Sequence, residues 1–266
     1  MEFGVCTNFA ASPEDPAGME LIPIIAQAGF DYVELPVCEV ASLSGEDFRK
    51  LKQLLAGCHI AASAACNLFP DSMALLPIQE NGAGTGRYLD CALSRCADLG
   101  IRKIVFASIS AWSTRGDRQA ARDEIVRLVG DVMVPLFQKY HIRLLVEGLR
   151  RQVCNVINTI PEAADVVRRV WNPECGLMAD LYHMLCNEEP QENLTSCLHL
   201  VEHVHIAEQN RVLPVRSATE GMEGLVSCLR RGGYDGSISF EVRAPFTGGD
   251  LCSARAVILG LLGRPE

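Results

Sequence analysis

The chain has 266 residues, of which 48% are hydrophobic and 21% charged, and its formal net charge is −9. This length suits one eight-stranded α/β barrel, although two small domains would also fit it. The acidic balance opposes binding to nucleic acid, whose phosphate backbone needs clustered lysine and arginine. We therefore expect no nucleic-acid partner and a core large enough for an enzyme.

The chain begins with the strand-like residues MEFGVCT and shows neither the basic nor the apolar region of a signal peptide. No apolar run is long enough to span a membrane. The twelve cysteines are irregularly spaced and include no C-x-x-C pair. They are better explained as small buried side chains in a reducing compartment than as a disulfide framework or zinc ribbon. We expect a cytoplasmic protein without a membrane partner.

Short apolar segments alternate with longer amphipathic segments along the chain. Most of the short segments are rich in Val, Ile and small residues without alternation, which is typical of parallel strands buried on both faces. The predicted strands are residues 3–7, 32–35, 60–66, 103–107, 143–147, 176–180, 203–206 and 237–241.

The intervening segments carry helix signals. Ser44 and Asp47 resemble a capping pair, and Thr159 with Glu162 forms a capping box that includes a proline near the helix start. Apolar residues between 125 and 136 fall on one helical face. Pro135 lies within that run, so we expect it to kink or end the helix.

Eight strand–helix alternations without a break in composition predict a single domain over residues 1–266, folded as a (β/α)₈ TIM barrel. The alternative is an open doubly wound sheet, which usually has a glycine-rich phosphate loop after its first strand. Here the first strand is followed by Asn8 and Phe9 instead. The glycine-rich run 82–86 does not directly follow a strand, and we interpret it as a flexible helix entry.

Each of the last four predicted strands ends in a carboxylate or an imidazole: Glu147, Asp180, His205 and Glu241. One such residue alone is more often a helix cap, a solvated charge or a core histidine, but neighbouring strand ends of a barrel converge on one mouth. Three carboxylates brought together would repel one another unless a cation lay between them. Three oxygen ligands and one imidazole suit Mn²⁺, Mg²⁺ or Co²⁺.

The segments around these positions resemble the xylose isomerase-like TIM-barrel superfamily of sugar-phosphate isomerases and epimerases, and most closely its D-tagatose 3-epimerase-like group. The resemblance is carried by residues 146–147 with 155–159, 178–184, 203–211 and 233–241. It implies a divalent metal, with Mn²⁺ the first choice, held by Glu147, Asp180, His205 and Glu241. It also implies a small carbohydrate substrate and a barrel that can pair through its helices as a homo-oligomer.

The same resemblance implies roles for individual residues. The metal would chelate a carbonyl and an adjacent hydroxyl and so stabilise the enediolate formed when a carbon-bound proton leaves. Glu147 and Glu241 would move protons on opposite faces of the substrate, which gives epimerisation, whereas one carboxylate acting alone would give isomerisation. His183 and Arg211 match positions that hold substrate oxygens.

Further residues near the strand ends have two interpretations each. Glu208 either contacts substrate or orients a neighbour such as His205. Trp112 either walls the pocket or packs on the barrel rim.

The sequence departs from the epimerase group at Val153, where the group carries a second, sugar-binding glutamate. Arg150 stands nearby in place of an asparagine. Several arginines follow strand ends and are either solvated surface residues or a subsite for an anionic substrate; they are Arg150, Arg151, Arg211, Arg216 and Arg243. The departure at Val153 leaves the four predicted metal ligands unchanged. It means that the substrate need not be the one that the epimerase group accepts.

Three other functions compete with a sugar isomerase or epimerase. An inosose-type dehydratase would use the same metal and base but expel a hydroxyl after enolisation. An apurinic endonuclease shares the barrel, but its three-metal site needs more histidines than the six in this chain. A non-catalytic sugar-binding barrel would have no need to keep both Glu147 and Glu241.

Overall fold

The apolar segments form one closed sheet of eight parallel strands in the computed structural model, which describes residues 1–264. Neighbours in the sheet follow chain order, and the last strand pairs with the first. The strands are β1 (Glu2–Cys6), β2 (Tyr32–Pro36), β3 (Ala61–Cys66), β4 (Lys103–Phe106), β5 (Arg143–Val146), β6 (Cys175–Asp180), β7 (Val201–Ile206) and β8 (Ser237–Phe240). The predicted (β/α)₈ barrel is confirmed, and the open doubly wound alternative was wrong.

Helices follow the strands and cover the outside of the barrel. They are α1 (Ile22–Gln27), α2 (Val37–Ser42), α3 (Gly45–Cys58), α4 (Ile78–Leu99), α5 (Arg118–Arg127), α6 (Val134–Tyr140), α7 (Ile160–Val170), α8 (Leu181–Cys186), α9 (Gln191–Cys197), α10 (Glu220–Arg231) and α11 (Gly248–Leu262). Within residues 1–264, no helix combines the length and the apolar character that a membrane crossing requires.

Two helix details differ from the simplest expectation. The segment Leu128–Met133 between α5 and α6 is π-helical, and Pro135 lies in the first turn of α6, where its missing N–H does least harm. The helix therefore accommodates Pro135 by forming a wider, π-helical turn before it. The glycine-rich run 82–86 lies within α4 itself and not in a loop before it.

The ends of strands β5 and β8 lie next to two residues of the predicted site. Strands β5 and β8 end one residue before Glu147 and Glu241. The backbone N–H of Glu147 nevertheless donates to Phe106 O at 3.1 Å, and that of Glu241 donates to Ile206 O at 3.1 Å. Both glutamates are therefore held by the pairing of the sheet, as a strand residue would be.

The predicted capping box at the start of α7 is confirmed. The Thr159 hydroxyl accepts from the backbone N–H of Glu162 at 3.4 Å, and the Glu162 carboxylate accepts from the backbone N–H of Thr159 at 3.2 Å. Both bonds satisfy backbone donors that the helix cannot pair internally. Helix α7 is thereby fixed against the loop that follows Glu147.

Thr159→Ala should lower the free energy of unfolding by about 1 kcal/mol, because one capping acceptor is lost. For a chain of this size that is a fall of about 2–4 °C in Tm, measurable by differential scanning calorimetry. Thr195→Ala, at an exposed position inside α9, is the matched control and should leave Tm unchanged or slightly raised. Equal Tm values for the two variants would contradict the capping role.

Candidate metal and active site

The carboxyl ends of the strands bring the four predicted ligands to one mouth of the barrel. Glu147 follows β5, Asp180 ends β6, His205 lies in β7 and Glu241 follows β8, and all four side chains are buried. Active sites of this fold lie at that face, because loops from successive strands meet there.

Within the mouth the ligand atoms form two tight sets. The side chains of Glu147, Asp180 and His183 have donor atoms within 4.8 Å of one another, and those of Cys6, His205 and Glu241 do likewise. His205 Nδ1 lies 3.6 Å from Glu241 Oε2.

The guanidinium of Arg211 joins the two sets. Its Nη1 donates to Glu241 Oε2, and its Nη2 lies 3.4 Å from Asp180 Oδ2. Arg211 reaches this position from a short turn in which both Asn210 (φ 65°) and Arg211 (φ 59°) adopt left-handed backbone conformations. Such conformations are unfavourable for residues other than glycine and are concentrated at functional sites. The backbone strain therefore accompanies the placement of a buried positive charge between two carboxylates.

The two glutamates of the site are in opposite electrostatic environments. Burial, together with the charges of Asp180 and Glu241, raises the pKa of Glu147 well above its usual value. Burial also opposes ionisation of Glu241, but the charges of Arg211 and His205 hold the pKa of Glu241 well below its usual value. Without a metal, Glu147 therefore holds its proton to higher pH than Glu241 does.

The donor set fits a divalent cation. His205 Nδ1 is buried and has no hydrogen-bond partner among the described residues, although it faces Glu241. An orphaned nitrogen beside buried carboxylates is the arrangement that a metal ion would satisfy. Three carboxylates and one imidazole match the hard, oxygen-preferring divalent ions.

A cavity of about 550 Å³ opens above these residues, large enough for a monosaccharide-sized ligand. Glu147 and Glu241 both line it. Of the residues expected to bind substrate, three also line it: Arg150, His183 and Arg211. His183 Nε2 lies 3.5 Å from Asp180 Oδ2 and 3.7 Å from Glu147 Oε1, so this ring faces the ligand set and the cavity together.

Two residues expected to bind substrate lie outside the cavity lining and are bonded to neighbouring loops instead. Both carboxylate oxygens of Glu208 accept from Thr219, one from its N–H and one from its hydroxyl, each at 2.8 Å. Trp112 is fully buried, stacks edge-on against Phe106 and donates from Nε1 to the backbone oxygen of Glu147 at 3.0 Å. Neither side chain lines the cavity, because each is directed into a packed junction between loops.

The structure also brings in residues that the sequence reasoning passed over. Asn8 donates to Glu241 Oε1 at 2.9 Å, and Tyr182 lies under the Arg211 guanidinium at 4.2 Å from ring centroid to Cζ. Asn8 directly follows the predicted strand 3–7, so the strand-end rule that found the other ligands would also have found it. Tyr182 carries no such signal, since its contact depends on where the Arg211 side chain turns.

The chain belongs to the xylose isomerase-like TIM barrel family, whose model matches residues 22–251. The predicted family resemblance is thereby confirmed. A ketose 3-epimerase from Arthrobacter globiformis is 25% identical over 228 residues, which cover 81% of this chain and 74% of that protein.

Solved structures share the fold across nearly the whole chain. A D-psicose 3-epimerase, determined in the presence of D-fructose, matches with a TM-score of 0.84 at 21% identity and covers 99% of this chain and 100% of its own. A 3-keto-D-glucoside 4-epimerase from E. coli matches with a TM-score of 0.78 at 19% identity, covering 98% of this chain and 99% of its own.

Arg211→Met should destabilise the metal-free protein by about 3–5 kcal/mol, because it leaves Asp180 and Glu241 buried without their counter-charge. The measurement is Tm in the presence of a chelator. Added Mn²⁺ should raise Tm by more in the variant than in the wild type, since the cation then supplies the missing charge. The control is Arg216→Met, an exposed arginine outside the cavity. A metal-free Arg211→Met protein as stable as the wild type would contradict this role.

Proposed function

We propose that this protein is a divalent-metal-dependent epimerase or isomerase of a sugar or sugar derivative, acting by proton abstraction next to a carbonyl. The observation that carries the proposal is the pair Glu147 and Glu241. Both carboxyls line one cavity, and their surroundings push their pKa values in opposite directions. Such a pair is the usual sign of an acid and a base at one reaction centre. The named activities of the 3-epimerase relatives support the same class.

The residues that would hold the metal are Glu147, Asp180, His205 and Glu241. We expect Mn²⁺, with Mg²⁺ or Co²⁺ as alternatives. When bound, the cation would polarise the substrate carbonyl and offset the negative charge that develops on its oxygen. The unpartnered Nδ1 of His205, which faces Glu241, and the cluster of Glu147 and Asp180 in the same mouth support this assignment.

The protein's own side chains would carry the proton transfers. Glu147 and Glu241 come from strands three positions apart in the barrel and so approach a substrate from different sides. One carboxylate would remove the proton from carbon, and the other, carrying a proton taken from solvent, would return it to the opposite face, which inverts that carbon. His183 faces the same space and would hold a substrate hydroxyl or carbonyl oxygen.

The test is solvent exchange in deuterated water with the D-fructose and D-psicose pair, by mass spectrometry and sugar chromatography. The Mn²⁺-loaded enzyme should incorporate deuterium and form the epimer, and a chelator should abolish both. Glu147→Gln and Glu241→Gln should each lower the rate about 10²–10⁴-fold, the usual contribution of a positioned acid or base. Glu192→Gln, an exposed control in α9, should retain full activity.

The outcomes separate the reaction classes. If a panel of ketoses, inososes and sugar acids gives no exchange with Mn²⁺ present, the proposal fails. Exchange accompanied by loss of water from an inosose would replace the epimerase with a dehydratase on the same residues.

We further propose that the substrate carries an anionic group. Two arginines that line the cavity, Arg150 and Arg243, form no ion pair among the described residues. Val153, where the epimerase group carries a glutamate, also lines the cavity. The arginines lie at the two ends of an alternating stack whose successive Cζ-to-centroid distances are 5.9, 4.2, 4.7 and 5.9 Å, in the order Arg150, Tyr182, Arg211, Phe9 and Arg243.

Replacing Arg150 and Arg243 together by Met should raise KM for a sugar acid or sugar phosphate about 10–100-fold, the equivalent of about one charged hydrogen bond. KM for the neutral parent sugar should remain unchanged. Arg216→Met is again the control. If the double variant treats anionic and neutral sugars as the wild type does, the anionic subsite is wrong, while the epimerase assignment is unaffected.

A further inference from the structure

A chain of buried hydrogen bonds runs through the barrel interior to the predicted metal ligand His205. Lys103 Nζ on β4 donates to Ser237 Oγ at 2.8 Å, and Ser237 Oγ lies 2.6 Å from His203 Nδ1. His203 Nε2 lies 2.9 Å from Glu34 Oε2, and His205 Nε2 lies 3.0 Å from the other oxygen of the same carboxylate. Glu34 and His203 are fully buried, and neither lines the cavity.

The Glu34 carboxylate sets the direction of the hydrogen bonds in this chain. An ionised carboxylate can only accept, so His203 Nε2 carries the proton that is donated to Glu34 Oε2. In the neutral ring Nδ1 is then the acceptor, so the Ser237 hydroxyl donates to it while the same oxygen accepts from the Lys103 ammonium. Each nitrogen of His203 is thus assigned by its partner.

The same carboxylate then assigns the nitrogens of His205. An ionised carboxylate only accepts, so His205 Nε2 must carry a hydrogen to bond with Glu34 Oε1. The other nitrogen, Nδ1, has no hydrogen-bond partner among the described residues and points toward Glu241. In the neutral ring, that nitrogen is the one with a free lone pair.

We infer that Glu34, supported by His203, Ser237 and Lys103, is a positioning residue that fixes the tautomer and orientation of His205 so that Nδ1 faces the metal. This inference rests on the metal site of the proposed function and adds residues that do not touch substrate or metal. Carboxylates bonded to the second nitrogen of a ligating histidine hold the ring in this way at other metal sites. The sequence had suggested Glu208 as a partner for His205, but Glu208 is bonded to Thr219 and Glu34 has this place.

The pairing also explains why a glutamate occupies this position. A carboxylate has acceptor oxygens for both imidazoles at once, whereas a glutamine amide has only one acceptor and would face the second ring with a donor. With an amide, one of the two histidines would have to change its tautomer. If His205 changed, its Nδ1 would carry a hydrogen and lose the lone pair.

The experiment measures the Mn²⁺ dissociation constant by isothermal titration calorimetry and, separately, Tm of the metal-free protein. Glu34→Gln should weaken Mn²⁺ binding about 10–100-fold, the usual effect of removing such a partner. Ser237→Ala removes one hydroxyl from the chain, so it should fold normally and bind Mn²⁺ several-fold more weakly. Thr7→Val is the matched control, because it removes another fully buried hydroxyl, bonded to Ala17 O at 2.9 Å, outside this chain.

A structural role alone would lower Tm and leave the dissociation constant unchanged, as expected for Thr7→Val. The inference is overturned if Glu34→Gln lowers Tm but keeps the wild-type dissociation constant. If Glu34→Gln fails to fold, wild-type Mn²⁺ affinity in Ser237→Ala overturns it instead. In either case the proposed function stands. If the wild-type protein itself binds no Mn²⁺, the metal site and the inference fall together. The inference is supported if Glu34→Gln and Ser237→Ala both bind Mn²⁺ more weakly while Thr7→Val keeps the wild-type affinity.

Discussion

The mutual repulsion of three buried carboxylates governs the arrangement of this site. Glu147, Asp180 and Glu241 are placed at one mouth by the sheet, which cannot move them apart without breaking its own pairing. In a site of low dielectric such charges are costly unless they are neutralised or paired. The chain uses both solutions. Arg211 and His205 pair with Glu241, and the raised pKa of Glu147 favours the neutral form of that carboxyl. A cation entering the mouth would therefore compete with the Arg211 guanidinium and with protons on Glu147 and His205, so metal affinity and proton affinity are linked at this centre.

The surrounding loops connect the site residues to the packed core of the barrel. Trp112 is locked into the core and bonded to the backbone of Glu147, so the position of one proton carrier depends on packing in the loop after β4. Glu208 binds the start of α10 and thereby anchors the loop that carries Arg211. Neither residue needs to touch a substrate to matter for the site. A substitution at either would act by moving a backbone, which makes it hard to distinguish from a catalytic residue by activity alone.

The parts of the structure that followed from sequence are those that depend on the backbone. Alternating apolar segments and helix signals predicted the barrel, and strand-end position alone placed His205 and Glu241 at the same mouth, because parallel strands carry their carboxyl ends to one face. Strand spacing says nothing about which way a long side chain turns. It therefore did not show that Arg211 turns inward onto Glu241 or that Trp112 turns away from the cavity. Both directions are decided by packing between loops that are distant in sequence.

The interior of the barrel divides into two layers with different chemistry. In the upper layer, Glu147 and Glu241 face the cavity and have pKa values displaced in opposite directions, as groups that exchange protons need. In the lower layer, Glu34 and His203 are fully buried, and the Glu34 carboxylate, which only accepts, fixes the direction of the bonds to both imidazoles. His205 touches both layers, with Nε2 bonded to Glu34 below and Nδ1 facing Glu241 above. A proton on Nε2 is held in place by the fully buried Glu34 carboxylate, so the ring can accept a ligand at Nδ1 without changing its tautomer. The bonds made by Glu34 thus keep the proton on His205 Nε2, while Glu147 and Glu241 remain free to gain and lose protons at the cavity.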